Sequence, residues 1–229
     1  MARGPAEGTR VEYDGSGGYT ITRNDGQAVT FGDAQIIEEL QTATQYRVTN
    51  NGIQNDIVLS KVQAPPVSGR LSLTYHVIGV WTQVNTTNPG DIRTNEFFVF
   101  GNKTQNLPTG TATYDLTDGI GLTGTDRTFT AYNFLPNSTG SLSVDFGAGS
   151  LSTNLNLIGL DETNQSTRDF GSFSGSGNIT SGADFSGIFA AGGEFFGSFF
   201  GPAAEEVGFV AALDTPQLQA SGTVSGTKD

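Results

Sequence analysis

The chain has 229 residues and a formal net charge of −12, from 11 basic and 23 acidic side chains. A surface of this sign repels phosphate backbones and anionic lipid headgroups, so we expect no nucleic-acid partner. The sequence contains no cysteine, which excludes disulfides, thiolate nucleophiles and cysteine-ligated zinc. With 32 glycines against eight prolines, among many Ser, Thr, Asn and Phe residues, the composition predicts a mainly β protein with short strands and tight turns.

The N-terminal part of the sequence predicts a small domain. Residues 1–8 are small and polar, and we expect them to be disordered. Residues 9–64 have the pattern of short strands, with one short helix at residues 33–40, where Ile36, Ile37 and Leu40 share a helical face. A unit of this size is only marginally stable alone, so it should bury apolar surface against the remainder of the chain. Residues 65–69, rich in Pro and Gly, predict a stiff linker.

Residues 70–229 predict a second domain. It opens on a long alternating strand, residues 70–84, in which Tyr75 and Trp81 share one face and His76 lies on the other. Further alternating segments follow at short spacing, except between residues 118 and 137, where the pattern weakens. Strands joined by short turns favour an antiparallel up-and-down barrel of about eight strands, since closure leaves no exposed edge.

Residues 192–209 are the least generic stretch, with two Phe doublets separated by glycines. Because adjacent strand residues point to opposite faces, each doublet places one ring on either side of a sheet. We expect a strand, a one-turn helical corner opened by Gly201 and closed by Gly208, and a second strand. In a closed barrel the inner rings fill the interior, and the outer rings meet another domain or a ligand.

Five segments of the chain resemble the barrel lobe of transferrin-binding protein B and related surface lipoproteins. In family order they carry the motifs "tY…GvW", "FFvFG", "lPtsGtAtY", "vDFG" and "FFGPxAxExG", at residues 73–81, 96–101, 107–114, 143–147 and 199–208. The resemblance implies a small handle domain over residues 9–64 and a C-terminal barrel over residues 70–229. One handle and one barrel make a single lobe, as in the haemophilin-like members of the family.

The resemblance also implies a function. It implies a non-enzymatic, monomeric binding protein of iron acquisition, at the bacterial outer membrane or secreted, that captures haem or a host iron or haem protein. The implied partners are a TonB-dependent outer-membrane receptor and a surface-lipoprotein assembly modulator (Slam) exporter. The family's lipidated N-terminal Cys is not in this sequence, so we expect an anchor that was removed or a secreted form. The alternative is a surface adhesion or immune-evasion module. No stretch has the apolar length of a membrane helix.

Three residues are candidates for binding haem iron, which accepts an imidazole or a phenolate. The one histidine, His76, is the candidate axial ligand, and Tyr46 and Tyr19 are alternative donors. The family motif around residue 76 does not require His, so no ligand role transfers from it. The alternative interpretation of His76 is a partly exposed strand residue that is hydrogen-bonded locally.

Catalysis is not expected. Any Ser-His-Asp mechanism would have to use His76, and the sequence has no nucleophile elbow and no phosphate loop that opens a helix. Adjacent acids such as Glu205 and Glu206 diverge in a strand or corner, so they do not predict a shared catalytic proton. No metal site is expected either, because residues 161–169 lack the spacing of a calcium loop.

Overall fold

A computed structural model describes residues 9–23, 25–62, 71–87, 94–134 and 137–229. The predictions of a disordered segment at residues 1–8 and a linker at residues 65–69 lie outside these ranges. Strands dominate the described part, which confirms the mainly β prediction. No helix in that part is long and apolar enough to cross a membrane.

Two antiparallel sheets form the handle. The first has three strands in the order β1-β2-β3, and the second has five in the order β4-β5-β6-β7-β8. Their bounds are β1 Arg10–Tyr13, β2 Tyr19–Thr22, β3 Ala28–Phe31, β4 Ile36–Glu39, β5 Ala43–Asn50, β6 Ile53–Ser60, β7 His76–Asn85 and β8 Thr94–Gly101. The sheets share one apolar core, in which Ile21 and Phe31 of the first sheet pack with Ile57 and Trp81 of the second.

The boundary predicted at residue 70 is wrong for β7 and β8. Both strands belong to the handle sheet, because β6 pairs with β7 and places Ile57 opposite Trp81. The "tY…GvW" and "FFvFG" segments therefore lie in the handle and not in the barrel. Alternation fixes which face of a strand is apolar, but it does not say which sheet the strand joins.

The short helix predicted at residues 33–40 is also wrong. A 3-10 turn covers Asp33–Gln35, and β4 follows at once. Ile36 pairs with Tyr46 and packs against the handle core, whereas Ile37 is exposed. The two isoleucines thus alternate across a sheet edge instead of sharing a helical face.

The remaining strands form a closed antiparallel barrel. They are β9 Thr111–Asp115, β10 Ile120–Asp126, β11 Ala131–Asn133, β12 Thr139–Asp145, β13 Ser150–Asp161, β14 Thr167–Ser181, β15 Asp184–Phe189, β16 Gly193–Phe200, β17 Glu206–Asp214 and β18 Leu218–Lys228. β9 and β10 pair with β18 as successive parts of one wall strand. β11 and β12 do the same against β13. The barrel therefore has eight wall strands, as predicted.

The Phe doublets lie as predicted, with one ring inside the barrel and one outside. Phe195 and Phe199 are completely buried in the barrel core, and their rings contact Phe185. Phe196 on the outer face is half-buried. Gly187 leaves the space that the Phe195 ring needs, since a Cβ there would lie 2.2 Å from that ring.

A buried phenol links the interior to the corner before β17. The Tyr114 hydroxyl donates to the Ala204 carbonyl at 2.7 Å, and burial raises the pKa of this phenol. We expect Tyr114→Phe to lower the free energy of unfolding by about 1–2 kcal/mol, since the buried carbonyl loses its donor. Urea unfolding followed by circular dichroism measures this change. A difference indistinguishable from zero would contradict it.

Candidate functional site

A buried junction joins the handle to the barrel wall. The Glu206 carboxylate at the start of β17 accepts the backbone N–H groups of Thr74 at 2.6 Å and Tyr75 at 3.0 Å. It also lies 2.9 Å from His76 Nδ1. Burial acts to raise the pKa of Glu206, but the hydrogen bonds from His76, Thr74 and Tyr75 together lower it. The carboxylate thus holds the chain that enters β7.

His76 lies wholly inside this junction. Its side chain is 0% exposed, Nε2 lies 2.9 Å from the Ser225 hydroxyl, and the ring stacks on Phe200 at 4.5 Å between centroids. Both ring nitrogens therefore have partners. This arrangement does not fit an axial haem ligand, since no nitrogen is free to face iron.

The "FFGPxAxExG" segment is the barrel's half of the junction. Phe200 supplies the stacking ring and Glu206 the carboxylate. Gly208 leaves room for the imidazole, since a Cβ there would lie 2.7 Å from His76 Nε2. Gly201, at φ +86°, faces the Tyr75 ring in the same way. The motif is therefore explained by domain docking.

The helical corner predicted after Gly201 is wrong. Residues 201–204 form a non-helical turn, and Gly208 lies inside β17. β17 begins already at Glu206, because the backbone of Glu206 pairs with Thr227. The Glu206 side chain points into the junction. Glu205 turns the other way and accepts the Ala203 N–H at 2.8 Å, so the two acids do not converge.

The junction extends along the outer wall of the barrel. Outward-facing side chains of β16, β17 and β18 are buried, although they face away from the interior. They are Ser198, Phe200, Glu206, Val210, Ser221, Thr223 and Ser225. The handle strands β7 and β8 lie against this wall. The handle thus buries its second face on the barrel, as its small size requires.

The two tyrosine candidates belong to the handle core. Tyr46 is 8% exposed, and its ring lies 4.8 Å from that of Phe31. Tyr19 is half-buried and stacks on Phe31 at 5.6 Å. Burial raises the pKa of both phenols, which opposes the phenolate that iron would need. The structure does not bring Tyr19 and Tyr46 together with His76, which lies in the junction.

The loop between β10 and β11 presents an aromatic side chain to solvent. Phe129 is 87% exposed and has φ +64°, a conformation that costs a bulky residue about 1–3 kcal/mol. Asp126 fixes the loop: its Oδ1 accepts the backbone N–H groups of Thr128 at 2.8 Å and Thr130 at 3.1 Å. A hydrogen bond from the Thr128 hydroxyl is the main cause that lowers the pKa of Asp126.

Two arginines tie this loop to its neighbours. Arg168 donates to Asp126 Oδ2 at 2.6 Å, and its guanidinium lies 4.6 Å from the Phe170 ring centre. Arg127 donates to Asp214 at 2.7 Å and to the Thr215 carbonyl. Residues 126–130, 161–168 and 214–217 therefore act as one unit, which we call the loop platform. It lies at the end of the barrel opposite the turn at residues 201–204.

Solved structures share this combination of handle and barrel. A transferrin-binding protein B double mutant from Haemophilus parasuis Hp5 matches with a TM-score of 0.54 and 16% identity, over 91% of this chain and 40% of that chain. Intact Ap-TbpB, with N and C lobes, matches with a TM-score of 0.51 and 16% identity, over 92% and 51%. A single mutant of the Haemophilus parasuis protein gives 0.52 and 13%, over 92% and 51%. The chain has the fold of a transferrin-binding protein B lobe.

The lobe covers about half of the length of these structures, or less. No family model matches the sequence, and no curated protein matches it. At 13–16% identity, the likeness to transferrin-binding protein B concerns the fold. It confirms the handle and barrel that the five motifs predict.

Two main features of the site, the role of Glu206 and the exposure of Phe129, were not predicted from the sequence. The role of Glu206 depends on residues 130 to 132 positions away, so no local signal shows it. Phe129 fell in the stretch where strand alternation weakens. The signal that could have found it is Asp126 with threonines two and four residues later, a pattern typical of a side-chain-capped turn.

Proposed function

We propose that this lobe is a non-enzymatic capture protein of bacterial iron acquisition, and that it binds a host protein that carries iron or haem. The observation that carries the proposal is the hydrogen-bonded loop platform with its exposed Phe129, on a fold shared with transferrin-binding protein B. Aromatic side chains are enriched among the residues that dominate protein interfaces. The resemblance further supports a place at the cell surface or a secreted form, export by a Slam-type modulator and delivery to a TonB-dependent receptor.

Free haem is the less favoured ligand. His76 is wholly buried with both ring nitrogens bonded, and burial raises the pKa of the Tyr46 and Tyr19 phenols, which opposes a phenolate ligand. We expect hemin titrated into the protein to give the same Soret band with the wild type and with His76→Gln. A Soret shift present in the wild type and lost in His76→Gln would restore His76 as a ligand.

Binding to purified host proteins tests the proposal. The immobilised lobe is exposed to transferrin, lactoferrin and haemoglobin, each in its loaded and unloaded form, in biolayer interferometry. We expect saturable binding to one of them. Binding to none of the three would overturn the proposal, and binding to a complement regulator instead would favour the adhesion or immune-evasion alternative.

A further inference from the structure

The strongest unexplained feature of the molecule is the conformation of Phe129. A large apolar side chain that is 87% exposed gains nothing from the fold, and its positive φ adds strain. Glycine or asparagine would occupy this position without that strain. Strained residues persist where the surroundings impose them, and they concentrate at binding sites. The position therefore carries a cost that folding alone does not explain.

Hydrogen bonds around Phe129 hold the backbone of its loop in place before any partner arrives. The Asp126 side chain caps the loop, and the Phe129 N–H donates to the Asp126 backbone carbonyl at 3.0 Å. Arg168 fixes the second oxygen of Asp126, and the Glu162 N–H donates to the Ala131 carbonyl at 3.0 Å, which joins the neighbouring loop. The loop backbone therefore has little conformational freedom left to lose on binding, which favours a strong anchor.

The shape and charge of the platform indicate the kind of partner. Phe129 projects from the surface, so its shape suits a cavity in a partner and not the wall of a pocket on this chain. Four acidic side chains and two basic ones lie on the platform, namely Asp126, Asp161, Glu162, Asp214, Arg127 and Arg168. Each arginine is already paired, with Asp214 or Asp126. The platform is therefore acidic, which suits a protein surface that is neutral or basic and disfavours anionic lipid.

We propose that Phe129 is the anchor through which the loop platform docks into an apolar pocket, rimmed by neutral or basic groups, on the captured protein. This inference rests on the proposed function and names the surface that performs it. The ring enters the pocket and leaves the solvent, while Asp126 and Arg168 hold the loop in its bound shape.

The test compares Phe129→Ala with Ile188→Ala against transferrin, lactoferrin and haemoglobin in biolayer interferometry. Ile188 is a matched control, since it is 65% exposed and lies on the β15 wall outside the platform. We expect Phe129→Ala to raise the Kd of the bound protein about tenfold or more, and Ile188→Ala to leave it within about twofold. Equal affinities of the wild type, Phe129→Ala and Ile188→Ala for the bound host protein would overturn the role of Phe129 as an anchor. They would leave the proposed function standing. Absence of wild-type binding would overturn both.

A second variant separates binding from stability. Phe129→Gly relieves the strain at φ +64°, so we expect a higher unfolding temperature together with lost capture. Hydrogen exchange of the free wild type should show protected amides at Thr128 and Thr130, whose N–H groups bind Asp126. Exchange of both amides at unfolded-chain rates would overturn the preformed anchor, as would binding to phosphatidylglycerol vesicles that depends on Phe129.

Discussion

Replacing Glu206 by alanine should lower the free energy of unfolding by about 3–5 kcal/mol. The substitution removes the acceptor of two backbone N–H groups and of the His76 ring, all at a buried site. Those donors then remain without partners where water does not reach them. Thermal and urea unfolding of the purified lobe measure the loss.

Glu205→Ala is the matched control for Glu206→Ala. The two acids are neighbours, but Glu205 is half-buried and caps only the turn at residues 201–204. We expect its loss to lower the free energy of unfolding by less than about 1 kcal/mol. Equal and small effects of both substitutions would contradict the importance of the junction.

The same carboxylate gives the junction a pH dependence. The pKa of Glu206 is lowered from its ordinary value of 4.5, so the folded state favours the ionised form. Its contribution to stability is complete above that value and is lost as the pH falls through the lowered pKa. We expect the unfolding temperature of the wild type to fall more steeply in acid than that of Glu206→Ala.

The second large effect is expected in the barrel interior. Phe195→Ala should lower the free energy of unfolding by about 3–5 kcal/mol, because it opens a cavity in a core of aromatic rings. The Phe195 ring contacts those of Phe185, Phe189 and Phe209, at centroid distances of 5.1–6.3 Å. Urea unfolding with linear extrapolation to water gives the change.

Phe196→Ala provides the comparison within the same doublet. Its ring lies on the outer face of the barrel and is half-buried, so we expect a loss of about 1–2 kcal/mol. The ratio of the losses in unfolding free energy for Phe195→Ala and Phe196→Ala tests the inside–outside alternation of β16 directly. A larger loss for Phe196 than for Phe195 would mean that the strand faces the other way.

The barrel could be predicted from the sequence because its determinants are local. Alternating apolar residues and short turns define antiparallel strands, and the Phe doublets of β16 show both faces at once. The handle was predicted in addition, from the family resemblance that the five motifs carry. The assignment of β7 and β8 failed because partner choice is not local: the strand of Trp81 alternates equally well in either sheet, and Trp81 pairs with Ile57 of β6.

The candidate site could not be predicted for the same reason. The sequence leaves His76 open between a haem ligand and a locally hydrogen-bonded strand residue, whereas the structure surrounds it with Phe200, Glu206 and Ser225. These partners are distant in sequence and meet only once the handle docks. Glu205 and Glu206 likewise look equivalent in the sequence, and only docking separates the buried acid Glu206 from the half-buried Glu205.

The last wall strand has a consequence for how the molecule is made. β18 pairs with β17 on one side and with β10 on the other, where Val224 lies opposite Ile120. During synthesis β10 leaves the ribosome long before β18 does, so the flank of β10 that faces β18 stays open until residues 218–228 arrive. High contact order of this kind slows folding and leaves the growing polypeptide exposed to aggregation. A chaperone that shields the unpaired flank of β10 would therefore act before residues 218–228 pair with it and have no target at that flank afterwards.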